Sequence, residues 1–234
     1  MPDRYISLGL SLISFGIVLA SFSYFILLNT PLTALGIACV ILGFTAASLP
    51  EHVVPRNAVK AMLRGAVLNI EALLEEFEVH EKAIYLAPKD GLVTAFIPLK
   101  NNPKQASVDQ IYKAPRRVVT QAGGEPGLII FPPGAEIVRA SEIAEASLEQ
   151  AIQYILVEVT ELCSSASVVE NADSIVVDMK KVKVNTEAER YSSSMGSIAT
   201  SIAACIIAYV RKKAISLVSE EHYDSSITAK FSYE

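Results

Sequence analysis

The sequence predicts an α+β protein: an N-terminal transmembrane helical hairpin, then a cytoplasmic domain of mainly antiparallel sheet covered by helices. One observation is a block without charges. No Asp, Glu, Lys or Arg occurs between positions 5 and 50, although the 234 residues contain 20 Lys and Arg and 25 Asp and Glu in all. A second is that strand-like runs and helical periodicities follow this block. The two compositions exclude a plain soluble domain, a disordered acidic chain and a polytopic transporter.

Two apolar runs lie in the charge-free block, over residues 5–28 and 31–49. At about 1.5 Å per residue, each is long enough to cross a hydrocarbon core of about 30 Å. Asn29 and Thr30 separate the runs, and Pro31 suits the first turn of the second helix. The short connection predicts an antiparallel hairpin within residues 1–50. A cleaved signal peptide, the alternative, has a shorter apolar core and no second run.

The distribution of basic residues predicts the orientation of the hairpin. Arg4 precedes the first run, Arg56, Lys60 and Arg64 follow the second, and the turn between the runs carries no Lys or Arg. By the positive-inside rule, both termini and the C-terminal domain lie in the cytoplasm, and the chain is a two-pass protein of the cell membrane. Arg56, Lys60 and Arg64 are also candidates for contact with anionic headgroups at the membrane surface.

Small residues at intervals of four, such as Cys39, Gly43 and Ala47, have two interpretations. One is a contact between subunits, and the other is close packing of the two helices within one hairpin. We favour packing within the hairpin, because the short turn already brings its two helices together.

Residues 51–80 are predicted to form an amphipathic stalk helix that leads into a domain over residues 81–234. Its apolar positions recur at intervals of three and four: Val59, Met62, Leu63, Ala66, Val67, Ile70, Leu73, Leu74 and Phe77. Basic residues lie near the start of this helix and acidic residues near its end. The apolar face predicts docking onto the domain that follows.

The domain begins with two predicted strands, over residues 83–86 and 92–99. Between them lie Pro88, Asp90 and Gly91, whose types favour a tight turn. The two strands are therefore predicted to form a hairpin.

Residues 100–126 form a long polar stretch in which basic residues outnumber acidic ones, although the chain as a whole is acidic. Loops of this length inside a compact domain are usually functional or disordered. We therefore take this stretch as a candidate for contact with an acidic ligand or the lipid surface, with Lys113, Arg116 and Arg117 as its ligand-binding residues. A solvated loop without a ligand is the alternative.

The rest of the domain alternates between strands and helices. The predicted strands are 127–131, 174–184, 215–218 and 227–233, of which the last two form a closing antiparallel pair. Ser147 and Gln150 have the spacing of a capping box and start a helix. A change of register at Lys180 predicts a bulge or a break in its strand.

Residues 192–214 are predicted to form a helix buried against the sheet. A third membrane span is the alternative, but polar residues dilute the uncharged stretch, and its apolar core is too short to cross alone. Free N–H groups and hydroxyls at the start of this helix predict a candidate ligand site for an anion. Its residues are Ser193, Ser194, Gly196 and Ser197. Capping and close packing are the alternative interpretation.

The sequence carries no recognisable metal or cofactor motif. Its three histidines and three cysteines are widely spaced, which gives no zinc pattern, and glycine-rich phosphate loops are absent. We therefore predict no cofactor, no metal ligand and no catalytic residue, and enzymatic activity is left uncertain. The net charge of −5 disfavours nucleic acid as a partner.

The order helix, strand pair, small-residue helix, strand pair over about residues 147–234 resembles the ligand-binding domains of the 4-vinyl reductase and transport-particle (TRAPP) group. The resemblance implies a ligand-binding fold. It transfers no functional residue, because the cysteine-bearing pattern of the reductase-like members is missing here. The whole layout is similar to that of uncharacterised archaeal membrane proteins with a two-helix anchor and a cytoplasmic α/β domain.

Together these features predict a membrane-anchored cytoplasmic protein that binds a ligand or a partner as a non-catalytic subunit of a larger membrane assembly. The expected partners are the lipid bilayer and either another protein or further copies of this chain. Two alternatives stay open. One is an enzyme for a membrane-proximal or phosphorylated substrate, which needs the 100–126 loop and the helix start at 193–197 in one pocket. The other is a purely structural membrane subunit.

Overall fold

The structure is a computed structural model, and the chain forms two compact units, Met1–Arg56 and Asn57–Glu234. It describes residues 4–48, 56–99, 107–115, 117–141, 143, 145–184 and 188–234. Predictions that concern the remaining positions, such as the first residues of the stalk helix and the first part of the 100–126 loop, lie outside the described residues.

The first unit is a helical hairpin. Helix α1 (Arg4–Phe22) continues into a π-helical turn (Ser23–Leu27), and helix α2 (Thr30–Ala47) runs back along it. The side chain of Asn29 caps α2 by accepting a hydrogen bond from Leu32 N at 3.2 Å, as N-cap asparagines do. The predicted pair of apolar helices is therefore confirmed.

Glycines let the backbones of α1 and α2 come into contact. A Cβ added to Gly9 would lie 2.6 Å from the Gly43 carbonyl oxygen, and one added to Gly16 would lie 2.7 Å from that of Gly36. Small residues therefore pack the two helices of one hairpin against each other, which is how close helix pairs form in membranes. The glycines repeat after seven residues in each helix rather than after four.

The second unit begins with helix α3 (Arg56–Glu76) and continues as an α+β domain. Its further helices are α4 (Val108–Lys113), α5 (Gly134–Ala140), α6 (Leu148–Gln153), α7 (Glu189–Met195) and α8 (Ile198–Arg211). Its strands are β1 (Ile84–Tyr85), β2 (Ala95–Pro98), β3 (Val119–Ala122), β4 (Glu125–Ile130), β5 (Ser165–Glu170), β6 (Ser174–Lys180), β7 (Ile215–Tyr223) and β8 (Ser226–Tyr233). The capping box of Ser147 with Gln150 is present at α6, as predicted.

Within the described residues, eight strands form one antiparallel sheet in the order β3-β4-β2-β1-β7-β8-β6-β5. The two halves have the same connectivity: in each, the first strand pairs with the second, the second with the fourth, and the fourth with the third. Pairing of β1 with β7 joins the halves, with Tyr85 opposite Ile215. The predicted α+β class with an antiparallel sheet is confirmed, as is the closing pair β7–β8.

The two faces of the sheet enter different cores. Ile97 and Ile130 belong to the main core, which also contains side chains of α3, α5, α6 and α8. Their chain neighbours Phe96 and Ile129 point to the opposite face, because successive strand residues alternate, and they pack with Ile111 of α4. Helices α4 and α8, which follow the second strand of each half, therefore lie on opposite faces.

Helix α8 is buried as predicted, since eleven of its 14 residues are buried. By length and composition, three helical segments in the described part of the chain could cross a membrane: Ser7–Leu27, Thr30–Ala47 and Glu189–Arg211. In each of the first two segments, 11% of the apolar stretch is buried within the chain, whereas 78% of the apolar stretch of the third segment is buried. The third segment therefore has little apolar surface left for lipid.

The predicted loop over residues 100–126 is wrong in its second half. Residues 108–113 form α4, with a capping box between Ser107 and Gln110, and the edge strand β3 follows. Gly123 and Gly124, with φ of 60° and 90°, form the two-residue turn between β3 and β4. Positive φ at both positions is what such a hairpin requires, so the glycine pair is a hairpin signal rather than the end of a loop.

Other boundaries also differ from the prediction. The long helix predicted over 192–214 is two helices, because Gly196 adopts φ of 80° between α7 and α8. Residues 189–191, which precede the predicted helix, belong to α7. Strand β6 ends at Lys180, because Lys181 adopts φ of 53°, so the predicted break is present but no strand follows it. Helix α5 and strand β5 are short elements that the patterns did not reveal.

Replacement of Gly134 by Ala is expected to lower the free energy of unfolding by about 1–3 kcal/mol, a typical cost of overpacking. The reason is that a Cβ at Gly134, in α5, would lie 2.9 Å from the Cα of Ile202 in α8. Gly65→Ala is the control, because nothing lies within 4 Å of its Cβ position in α3, and it should stabilise by about 0.5–1 kcal/mol. Urea unfolding followed by circular dichroism compares the two; equal stabilities would contradict the close α5–α8 contact.

Candidate functional site

The predicted anion site at residues 193–197 is the junction between α7 and α8. Gly196 ends α7, and Ser197 is the N-cap of α8. The Oγ atom of Ser197 accepts a hydrogen bond from Thr200 N at 3.3 Å. A Cβ at Gly196 would lie 2.7 Å from Thr200 Cγ2 and 3.0 Å from Glu220 Oε2. Both the positive φ and the lack of space require glycine here.

The carboxylate of Glu220 occupies the N-terminus of α8. Its Oε2 accepts a hydrogen bond from Ser197 N at 2.9 Å, and its Oε1 accepts one from Thr200 Oγ1 at 2.9 Å. The side chain is only 9% exposed, and His222 Nε2 lies 3.3 Å from Oε1. Backbone N–H groups and the helix dipole favour a negative charge at this position. The chain itself therefore supplies an anion where the sequence predicts one, and binding of an external anion there stays a prediction.

A second carboxylate caps α7 in the same way. Glu71, on α3, accepts hydrogen bonds from Arg190 N at 3.1 Å and from Tyr191 N at 2.6 Å. The Arg190 side chain donates in turn to the Val79 carbonyl oxygen at 3.2 Å. The first N–H groups of a helix have no partner within the helix, so these contacts satisfy the start of α7 and fasten α3 to it.

Two tyrosines and a thiol lie buried beside this junction. Tyr85 Oη lies 2.8 Å from the Met195 carbonyl oxygen and 2.9 Å from Ser201 Oγ. A carbonyl can only accept, so the tyrosine proton goes to Met195 and the serine hydroxyl donates to Tyr85. Burial raises the pKa of Tyr85, of Tyr191 and of the Cys205 thiol. These groups therefore stay neutral near pH 7 and provide no charged nucleophile.

A cavity of about 300 Å³ lies on the α4 side of the sheet, where the two halves meet. Six apolar residues line it: Ile84, Phe96, Pro98, Val108, Ile111 and Leu217. Six polar residues complete the lining: Glu81, Lys82, Ser107, Glu125, Ser216 and Glu234. Ligand pockets combine mostly apolar walls with a few polar groups, and this volume is at the lower end of their range. The cavity therefore suits a small molecule.

Several polar groups of the cavity are held in place by the sheet. The Lys82 ammonium donates to the Val218 carbonyl oxygen, next to a β-bulge between Leu217 and Ser219. The Ser216 hydroxyl donates to the Glu234 carboxylate. Among the lining residues that the structure describes, three carboxylates and one ammonium give an acidic balance, which favours a ligand without negative charge.

The structure separates the serines that the sequence groups into one site. Ser193 is exposed and its hydroxyl donates to the Arg190 carbonyl oxygen at 2.9 Å. Ser194 is buried and its hydroxyl donates to the Glu81 carbonyl oxygen at 2.8 Å. Both hydroxyls are thus used within the chain, and Ser194 supports the backbone of a residue that lines the cavity.

The basic candidates lie elsewhere. Lys113 is exposed at the end of α4, and Arg117 is exposed just before the edge strand β3, whereas Arg116 lies outside the described residues. The α7–α8 junction contacts the start of β1, where Ala83 N donates to Ser194 O at 2.9 Å. Three strand spacings separate β3 from β1, which is about 14 Å. Strands β4 and β2 therefore lie between the edge strand that follows Arg117 and the strand that contacts the serine junction.

The residues predicted to meet the membrane surface lie in the first part of α3. Arg64 is exposed and Lys60 is half-buried, while the side chain of Arg56 is outside the described part. Their contact with lipid stays a prediction.

Sequence reasoning missed the two capping carboxylates and the cavity. Glu71 lies 119 residues from Arg190, and Glu220 lies 23 residues from Ser197, so no local motif connects these acids with the helices that they cap. The cavity combines residues of α4 with strands from both halves of the sheet. Only the fold brings them together.

The two apolar helices and the antiparallel sheet with helices on both faces define an α+β protein with candidate membrane-spanning helices. Among the described residues, no group of three or more His, Cys, Asp or Glu side chains could hold a metal ion. The chain belongs to the family described as Domain of unknown function (DUF7982), whose model matches residues 2–231. No curated protein and no solved structure matches it. The family thus covers the hairpin and the sheet together.

Replacement of Glu220 by Gln is expected to lower the free energy of unfolding by about 1–2 kcal/mol, because it removes a charge-assisted bond at a buried helix start. Glu221→Gln is the matched control, since this neighbour is exposed, and its effect should stay within about 0.5 kcal/mol. Thermal unfolding of the full chain measures both changes. Equal losses in the two variants would contradict the capping role of Glu220.

Proposed function

We propose that this chain is a two-pass membrane protein whose cytoplasmic α+β domain binds a small ligand as a non-catalytic component of a membrane assembly. The observation that carries this proposal is the cavity of about 300 Å³ beside α4. Its mixed apolar and polar lining has the composition of a ligand pocket.

The hairpin supports membrane anchorage. Large apolar side chains of α1 and α2 point away from the contact between the two helices, among them Phe15 (60% exposed), Val18 (67%) and Phe44 (69%). Apolar surface of this extent marks an interaction with a membrane or a protein, and a lipid bilayer would bury both helices at once. The Lys and Arg residues that flank the hairpin favour a cytoplasmic location of the domain.

The acidic lining favours a neutral or cationic ligand with an apolar body. A binding role is also what the element-order resemblance to the 4-vinyl reductase and TRAPP group implies. The alternative, an enzyme for a phosphorylated substrate, is less favoured, because the Glu220 carboxylate already accepts a hydrogen bond at the helix start that the substrate would use.

Single cysteines on either side of the third apolar segment test the topology. Asp173→Cys and Lys230→Cys replace exposed residues that flank Glu189–Arg211. Both should react with a membrane-impermeant maleimide in inverted vesicles and be protected in right-side-out vesicles. Cys163 and Cys205 are buried and give the background in the parent chain. Labelling of the two new cysteines from opposite sides would show that the third segment crosses the membrane.

Native mass spectrometry of the full chain, released from a mild detergent, tests the ligand site. The parent chain should retain a small-molecule adduct that Ser216→Phe loses, because the phenyl group fills the cavity. Ser174→Phe is the matched control. Ser174 and Ser216 lie on opposite sides of the same residue, Ser232, with which both pair in the sheet, but Ser174 is not among the residues that line the cavity. An adduct that survives in Ser216→Phe, or the lack of any adduct in the parent chain, would count against the proposal.

A further inference from the structure

Helix α3 is apolar on two sides. Leu63, Val67 and Leu74 are buried in the main core. The other side, here called the open face, consists of the exposed, uncharged residues Ala61, Met62, Gly65, Leu68, Asn69 and Ala72, and it ends at the exposed carboxylate of Glu76. Met62 is 74% exposed and Leu68 is 48% exposed. An exposed helix normally places its charged residues on the side away from the core, so the open face needs an explanation.

The open face permits the close approach of another helix. At 100° per residue, Ala61, Gly65, Leu68 and Ala72 fall within about 60° of one another and form one stripe. Nothing in the described part of the chain lies within 4 Å of the Cβ position of Gly65. Leu68 can therefore fit against a glycine of a facing helix.

The charges beside the stripe indicate which helix that is. Lys60, Arg64, Glu71 and Glu75 lie on one flank of α3, with the two cations in its first half and the two carboxylates in its second. In an antiparallel pair related by a two-fold axis, each flank meets the same flank of the other helix in reverse order. Lys60 then faces Glu75 of the second copy. A parallel pair would instead place this flank against Met62, Asn69 and Glu76, so that Glu75 would meet the like charge of Glu76 and Lys60 would have no acidic partner.

The apolar and charged contacts share one centre. If Gly65 packs against Leu68 of a second copy, the two-fold axis passes midway between positions 65 and 68. If Lys60 pairs with Glu75, the axis passes midway between positions 60 and 75. These two midpoints differ by one residue, or about 1.5 Å along the helix. A lipid surface fits less well, because the acidic second half of α3 is repelled by anionic headgroups. We propose that the open face of α3 binds the open face of a second copy of this chain, with the two helices antiparallel.

The contact works in a membrane rather than in dilute solution. Two facing helices of this length bury less than the 1,200 Å² or more of a typical stable interface, so the pairing is weak for free molecules. Confinement of both copies to one bilayer raises their effective concentration. The strength of the pairing therefore rests on the membrane anchorage proposed above, while its geometry does not.

Disulfide cross-linking of mixed chains that each carry one added cysteine tests the geometry. Full-length Ala61→Cys and Ala72→Cys chains carry tags of different mass, are reconstituted together into phosphatidylcholine vesicles, and are oxidised with copper phenanthroline. The antiparallel pair predicts that mixed 61–72 dimers form several times faster than 61–61 or 72–72 dimers. Glu149→Cys, at an exposed position of α6, is the control and should give no dimer. Vesicle flotation reports membrane anchorage separately.

A charge exchange tests the same pairing without cysteines. Lys60→Glu and Glu75→Lys should each reduce cross-linking between the 61 and 72 positions several-fold, and the double variant should restore it. Homodimers as abundant as the mixed dimer, loss of cross-linking that the double variant does not restore, or protection of position 61 by phosphatidylserine vesicles without dimers would each overturn the proposal.

Discussion

The buried N-terminus of α8 is the constraint on which the rest of the α+β unit depends. A helix with eleven of 14 residues buried has to find partners inside the protein for its first N–H groups. Ser197 supplies one, and the Glu220 carboxylate supplies the charge that the helix dipole favours. Glu220 lies on β7, the strand that joins the two halves of the sheet. The contact that satisfies α8 therefore also positions it over that joint.

A carboxylate also caps the start of α7, and this carboxylate belongs to α3. Glu71 caps α7 across 119 residues of sequence, so the helix that follows the N-terminal hairpin is fastened to the pair of helices inserted between β6 and β7. Apolar packing of Leu63 and Val67 fixes which side of α3 faces the core, and the carboxylate restricts its rotation and position along the axis. The open face of α3 is consequently held in one orientation.

Periodic apolar patterns predicted the elements that depend on local sequence. The two apolar helices, the stalk helix, the buried helix and the closing strand pair all follow from spacing and length. The failures occur where tertiary contacts decide. Residues 108–122 belong to the stretch predicted as a polar loop, yet Ile111 and Ala122 are buried in the second core, and four backbone pairs with β4 hold β3 in the sheet. Neither the break at Gly196 nor the cap by Glu220 has a local signal beyond one glycine.

The candidate site shows why an anion-binding pattern alone is a weak guide to function. A helix start with free N–H groups and hydroxyls is chemically suited to phosphate, but in a buried helix the same groups have to be satisfied before any ligand arrives. Burial therefore favours a carboxylate from within the chain, as Glu220 illustrates. A ligand can bind more easily beside strands, because their backbone N–H and carbonyl groups already pair with one another and need no side chain from within the chain. The cavity at the joint between the two halves of the sheet is such a place, because its walls are side chains of α4 and of strands from both halves.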